Sequence, residues 1–64
     1  MNDYAGPVRK LLRGGGASFL RQGRGDHEVW TSPQSERPFT VPTKIESRHT
    51  ANGILRDAGL PKQF

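Results

Sequence analysis

The chain has 64 residues, with ten Lys and Arg against six Asp and Glu, a formal net charge of +4. A chain this short forms one domain at most, and its lack of cysteine excludes disulfides and thiolate metal sites. The excess of positive charge favours a polyanion such as a nucleic acid, or an acidic protein partner.

The N-terminus lacks a basic region followed by an apolar one, so it does not predict a secretory signal. No apolar run approaches the roughly 20 residues that a membrane span needs. We therefore expect a soluble, cytoplasmic protein with no membrane partner. Residues 2–5 are predicted to be a loose start.

A short first helix is predicted after that start. Gly6-Pro7 is typical of a helix entrance, because proline at the first helical position loses no hydrogen bond. Val8, Leu11 and Leu12 recur at helical spacing and form an apolar stripe. The glycines of residues 14–16 end the helix and supply its left-handed cap.

Two strands joined by a glycine-rich turn follow. We predict a strand over residues 17–22, a tight turn over residues 23–26 and a second strand over residues 27–31. Alternation places His27 and Val29 on one face of the second strand. The turn thus delivers a histidine to the start of a strand.

A third strand and a second helix complete the chain. Residues 39–41 form a short strand stopped by Pro42, and a linker over residues 43–46 leads to Ser47, a credible helix N-cap. Gly59 is predicted to cap the far end. The helix presents apolar residues at helical spacing, namely Ala51, Ile54, Leu55 and Ala58.

The predicted order is α-β-β-β-α, an α+β fold. Two helices on one face of a three-stranded antiparallel sheet is the simplest way to bury both apolar stripes. The candidate core comprises the larger apolar residues, namely Val8, Leu11, Leu12, Phe19, Leu20, Val29, Trp30, Phe39, Val41, Ile54, Leu55 and Leu60. Trp30 fits this core, with a base-stacking surface as the alternative.

Several short stretches, in this order, resemble the HicA (YcfA-like) family of bacterial type II toxins. The matching stretches are Lys10-Leu-Leu12, Arg21-Gln22, Gly25-x-His27, Phe39-Thr-Val-Pro42 and Ile54-Leu-Arg-x-Ala-Gly-Leu60. They span about residues 6–60, which we take as the core of a single HicA-like domain over residues 1–64. The resemblance implies a reduced double-stranded-RNA-binding-domain fold and a ribosome-independent mRNA endonuclease that arrests translation and growth. It also implies an antitoxin of the HicB type that covers the active site.

His27 is the candidate catalytic residue, because histidine titrates near neutral pH and can act as a general acid or base. The family pattern at this turn is Gly-Ser-His, and here Asp26 replaces the serine. The absence of metal-ligand spacing favours a mechanism without metal or other cofactor. No catalytic role is carried over to His49, which does not match the family's second histidine.

The predicted RNA-binding residues are Arg21, Arg24, Gly25 and Lys44, three cations and one of the two glycines of the turn. Solvated turn charges are an equal interpretation of Arg21 and Arg24, and a lone histidine in a basic protein is usually a surface residue. Two other functions therefore stay open. One is a non-catalytic RNA-binding module of the double-stranded-RNA-binding-domain type, and the other is a domain that binds an acidic protein.

Overall fold

A computed structural model describes residues 3–64 of the chain. It contains helix α1 (Ala5–Gly14), strands β1 (Ser18–Gln22), β2 (His27–Thr31) and β3 (Phe39–Pro42), and helix α2 (Arg48–Asp57). The α+β fold with order α-β-β-β-α is confirmed. Within residues 3–64, no helix combines the length and apolar character that crossing a membrane requires.

The three strands form one antiparallel sheet in the order β1-β2-β3. Trp30 pairs with Phe39 and Glu28 pairs with Val41, so these four side chains share one face of the sheet. That face carries the core, and both helices bury their apolar stripes against it. The opposite face carries His27, Val29 and Thr40 and is open to solvent or half-buried.

The core is built from small and medium apolar side chains around one tryptophan. Trp30 is 1% exposed and is the largest fully buried residue. The buried set is Ala5, Val8, Leu12, Ala17, Trp30, Phe39, Val41, Ile45, Ala51, Ile54, Leu55 and Ala58. Leu11 and Leu60 from the predicted core are only partly buried against this cluster.

Three predicted core residues are wrong, and one larger core residue was missed. Val29 is only half-buried and lies on the open face of the sheet, outside the core cluster. Phe19 and Leu20 are each 49% exposed, because β1 is an edge strand whose five residues are all exposed. Phe19 still packs against the periphery of the core, since its ring lies nearly perpendicular to the Trp30 ring with the two ring centroids 6.4 Å apart. Ile45, which was assigned to a linker, is 1% exposed and fills the core between β3 and α2.

The prediction of a loose start is wrong from Asp3 onward, and Asn2 lies outside the described residues. Asp3 Oδ1 accepts hydrogen bonds from the backbone N–H of Ala5 at 2.9 Å and of Ile45 at 3.3 Å. Tyr4 N donates to Ile45 O at 2.7 Å. Helix α1 consequently begins at Ala5, earlier than predicted, and Pro7 is its third residue, where the missing N–H has no intrahelical partner to lose.

Both helices end in the same way, as the glycines predicted. After α1, Ala17 N donates to Leu12 O at 2.8 Å and Gly16 adopts φ +91°. After α2, Leu60 N donates to Leu55 O at 2.8 Å and Gly59 adopts φ +78°. This six-to-one bond closed by a left-handed glycine is the Schellman ending. At the start of α2, the Ser47 hydroxyl accepts from His49 N at 3.1 Å, so the predicted N-cap is confirmed.

Candidate functional site

The turn between β1 and β2 is closed by hydrogen bonds on both sides of His27. Gly23 N donates to His27 O at 2.9 Å, and His27 N donates to Arg24 O at 3.1 Å. Gly25 adopts φ +55°, a conformation that other residues rarely take. The Gln22 side chain adds a bond from Nε2 to His27 O at 3.0 Å. The backbone of His27 is therefore held at the first position of β2.

An irregularity in β1 decides which side chains accompany His27. Phe19 pairs with Trp30, but the next pair is Arg21 with Val29, so Leu20 is an extra residue in β1. In a regular strand, Phe19 and Arg21 would lie on the same face. The β-bulge at Leu20 instead turns Arg21 to the open face, which it shares with His27.

The open face holds a shallow depression of about 450 Å³ around His27. It is lined by Arg21, Gly23, Arg24, His27, Val29 and Thr40. Two guanidinium groups and one imidazole thus border a single concave surface, and no carboxylate is among the residues that line it. Such a surface favours an anion.

Two of the predicted RNA-binding residues line this depression and two do not. Arg21 and Arg24 border it, whereas Gly25 lies in the turn just outside its lining. Lys44 also lies outside the lining, and its Nζ is 3.5 Å from Glu46 Oε1. Thr43 N donates to Asp26 O at 2.7 Å, so Lys44 follows a residue bonded to the turn. His49 lies on α2 and lines a separate depression.

The His27 ring has no hydrogen-bond partner in the part of the chain that the structure describes, since all three groups that bond to His27, from Gln22, Gly23 and Arg24, use its backbone. Asp26 bonds through its backbone carbonyl, so the structure gives it no hydrogen bond that orients the ring. Over residues 3–64, no three His, Cys, Asp or Glu side chains come together as a metal site. The imidazole is exposed and available to a ligand.

The opposite face of β2 is anchored to α1 through Glu28. Its Oε1 accepts from Trp30 Nε1 at 2.9 Å, from Arg9 Nη2 at 3.0 Å and from Arg9 Nε at 3.1 Å. The Trp30 indole N–H and the Arg9 guanidinium lower the pKa of Glu28, although partial burial of the carboxyl opposes them. Arg9 Nη2 also donates to Pro42 O at 3.0 Å, so one arginine ties α1 to β2 and β3.

Sequence reasoning missed two residues of the site that have polar side chains. Thr40 lies opposite Val29 on β3 and lines the depression, and strand alternation in β3 could have placed it there once the register was known. Gln22 supports the turn through its side chain. Its place in the stretch that resembles the toxin family was the only signal for it.

Comparisons with protein-family models, with curated proteins and with solved structures found no match to this chain.

Proposed function

We propose that this chain is a cytoplasmic endoribonuclease, the toxin of a HicA-type toxin–antitoxin pair, and that His27 is its general acid or base. One observation supports this proposal above the others. An exposed imidazole shares a concave surface with the guanidinium groups of Arg21 and Arg24. Cations beside an imidazole can catalyse cleavage of a phosphodiester, the imidazole by proton transfer and the cations by stabilising charge on the phosphate.

The reaction that suits these groups is attack of a ribose 2′-oxygen on the adjacent phosphorus. The 2′-oxygen loses its proton and bonds to phosphorus, while the bond from phosphorus to the 5′-oxygen breaks. The 5′-oxygen gains a proton, and the products are a 2′,3′-cyclic phosphate and a free 5′-hydroxyl. His27 carries out one of the two proton transfers, and water or a group of the bound RNA carries out the other.

Arg21 and Arg24 have a separate task in this reaction. The phosphorane passed in the transition state carries more negative charge on its equatorial oxygens than the starting phosphodiester. A guanidinium group presents N–H donors in a planar fork that matches phosphate oxygens. The two arginines stabilise that charge, and Gly25 lets the turn backbone come close to the strand of RNA.

The regulation of this activity follows from the same surface. An antitoxin of the HicB type that presents carboxylates to the open face would pair with Arg21 and Arg24 and cover His27. Lys44, at the same end of the sheet as the turn, would contribute to binding of either RNA or the antitoxin. The basic excess of the chain supports such partners.

The decisive experiment compares His27→Ala with His49→Ala, since these are the two histidines of the chain. We expect His27→Ala to lower the rate of RNA cleavage by about 10²–10⁴-fold, the usual contribution of a general acid or base. His49→Ala keeps the wild-type rate because that residue lies on α2, outside the depression. Cleavage is followed on a labelled RNA, with thermal unfolding as the check that both variants fold.

The outcomes separate the candidate functions. Wild-type cleavage by His27→Ala contradicts the assignment of His27. If the purified wild type binds RNA but cuts none, the chain is a non-catalytic RNA-binding module, an alternative favoured by the absence of a hydrogen-bond partner for the His27 ring within residues 3–64. If it neither binds nor cuts RNA, the acidic-protein partner remains.

A further inference from the structure

A second depression lies at the beginning of β3, beside the one that holds His27. Its volume is about 380 Å³, and it is lined by Ser35, Arg37, Pro38, Phe39, Thr40 and Asp57. Nothing in the proposed function uses this surface. It reaches from the exposed side of β3 around the outer edge of that strand to the last residue of α2.

The two depressions adjoin at Thr40, which lines both. His27 lies opposite Pro42 in the sheet, and Arg37 precedes Pro42 by five residues. The backbone path from the register position of His27 to Arg37 is therefore at most about 18 Å long. A short segment of a linear ligand, bound at His27, can follow Thr40 and end at Arg37.

Arg37 is exposed, but its backbone is held in place. Ser35 Oγ donates to Arg37 O at 2.7 Å, and Ser35 N donates to Ser32 O at 3.1 Å. Ser32 is itself 5% exposed, and its Oγ donates a hydrogen bond to the backbone oxygen of Ala58 at 2.8 Å. A series of hydrogen bonds thus anchors the loop before β3 to the end of α2.

The charges along the path favour a polyanion. Arg21, Arg24 and Arg37 lie along it, and the structure gives none of them an ion pair with a described residue. Asp57 is the one carboxylate that lines the path, at its far end beside α2. The three arginines outnumber this carboxylate, so the path is net positive. The neutral residues Val29 and Thr40 lie between its His27 end and its Arg37 end.

Building on the proposed function, we propose that the substrate is single-stranded RNA and that Arg37 binds a second phosphate, farther along the strand than the one beside His27. The nucleotides between the two phosphates lie across Thr40. Arg37 is in this proposal a residue that positions RNA and takes no part in the proton transfers.

The shape of the path is the reason for a single strand. The path leaves the open face of the sheet and turns around the outer edge of β3, because the second depression is lined by Asp57 of α2 as well as by Thr40. A double helix is stiff and keeps its bases stacked inside, so it cannot follow that turn. A single strand bends at every nucleotide, and a guanidinium group can hold its phosphate or stack on a base.

The test measures RNA affinity against salt for the wild type, Arg37→Ala and Arg48→Ala. Arg48 is the matched control, an exposed arginine at the start of α2 that lines neither depression. The ligands are a single-stranded RNA of about eight nucleotides, within the site sizes of small single-strand-binding folds, and a dinucleotide. Both carry 2′-O-methyl groups, which prevent cleavage by the 2′-oxygen, so binding is measured whether or not the chain cuts RNA.

We expect Arg37→Ala to weaken binding of the longer RNA and to reduce the slope of log K against log salt by about 0.7, the loss of one phosphate contact on a single strand. Binding of the dinucleotide and every value for Arg48→Ala remain at wild type. An equal loss in Arg48→Ala, or an unchanged slope in Arg37→Ala, overturns the role of Arg37. Equal affinity for an RNA duplex overturns the single-strand assignment.

These results are independent of the test of His27. An unchanged slope in Arg37→Ala, together with lost cleavage in His27→Ala, overturns only the path to Arg37. If Arg37→Ala reduces the slope of log K against log salt as expected but the wild type cleaves no RNA, the proposed enzymatic activity is overturned and the single-strand path is kept. Failure of the wild type to bind either RNA overturns both.

Discussion

The substitution Glu28→Gln isolates the charge that joins α1 to the sheet. A glutamine keeps an oxygen for the indole N–H of Trp30, but it removes the negative charge that faces Arg9 at 3.0 Å. The Arg9 and Glu28 side chains are 15% and 23% exposed, so solvent only partly screens the pair. A hydrogen bond to a charged group stabilises a protein by about 1.5–3 kcal/mol and a neutral one by about 0.5–1.5 kcal/mol. We therefore expect a loss of about 1 kcal/mol of unfolding free energy.

The loss depends on pH in a defined direction. The pKa of Glu28 in the folded protein is lowered by Trp30 and Arg9, below the ordinary glutamate value of about 4.3. Its charge therefore stabilises the fold fully above that value, and this contribution disappears as the pH falls through the folded pKa. The pKa of Asp3 is also lowered, by the backbone N–H groups of Ala5 and Ile45, but Asp3 is present in both proteins and cancels in the difference.

Thermal unfolding at neutral pH and in acid, below the folded pKa of Glu28, measures both effects. For a domain of this size, 1 kcal/mol corresponds to about 4–8 °C in Tm, so Glu28→Gln should unfold that much earlier at neutral pH and close to the wild type in acid. Glu46→Gln is the matched control, because its pair with Lys44 joins side chains that are 67% and 63% exposed and such pairs contribute little. Equal Tm shifts at both pH values, or an equal shift in Glu46→Gln, would refute the role of the Glu28 charge.

Two further predictions concern glycines and the turn. Gly53 lies within α2, where an added Cβ meets nothing within 4 Å, so Gly53→Ala should raise the unfolding free energy by about 0.5–1 kcal/mol. Gly59→Ala should lower the unfolding free energy by about 1–2 kcal/mol, because φ at Gly59 is +78° and the added Cβ would clash with Gln34. Chemical denaturation of the pair checks the opposite signs. Gln22→Ala should speed amide exchange at Gly23, whose N–H donates to the His27 oxygen that also accepts from the Gln22 side chain, and at His27, whose N–H donates to Arg24 O. Unchanged exchange would show that the turn backbone is stable without the Gln22 side chain.

The location of the candidate site on an open sheet face separates function from stability. Trp30, Phe39 and Val41 point to the helices and carry the core, whereas His27 and Arg21 point away from it. Substitution of the two site residues therefore removes a guanidinium or an imidazole group without opening a cavity. This separation makes loss of activity in His27→Ala interpretable without a large correction for unfolding.

Local patterns predicted the elements of this fold well. Ser47, Gly16 and Gly59 act at the helix ends through hydrogen bonds that span only a few residues, so composition and spacing were sufficient to place them. The bounds of β2 were also correct, because the glycine turn before it is a local signal. The face of β2 that carries His27 followed from simple alternation.

The sequence alone therefore determined the order of helices and strands and the turn that presents His27. Its resemblance to the toxin family made that histidine the candidate catalytic group. Only the tertiary structure decided which groups accompany it. The bulge at Leu20 moves Arg21 to the open face, and the pairing of β3 brings Thr40 into the depression. Strand register and burial depend on contacts between distant parts of the chain, as does the placement of Ile45 in the core. Such contacts leave no periodic signal in the segments that make them, because each partner's position is fixed by the other.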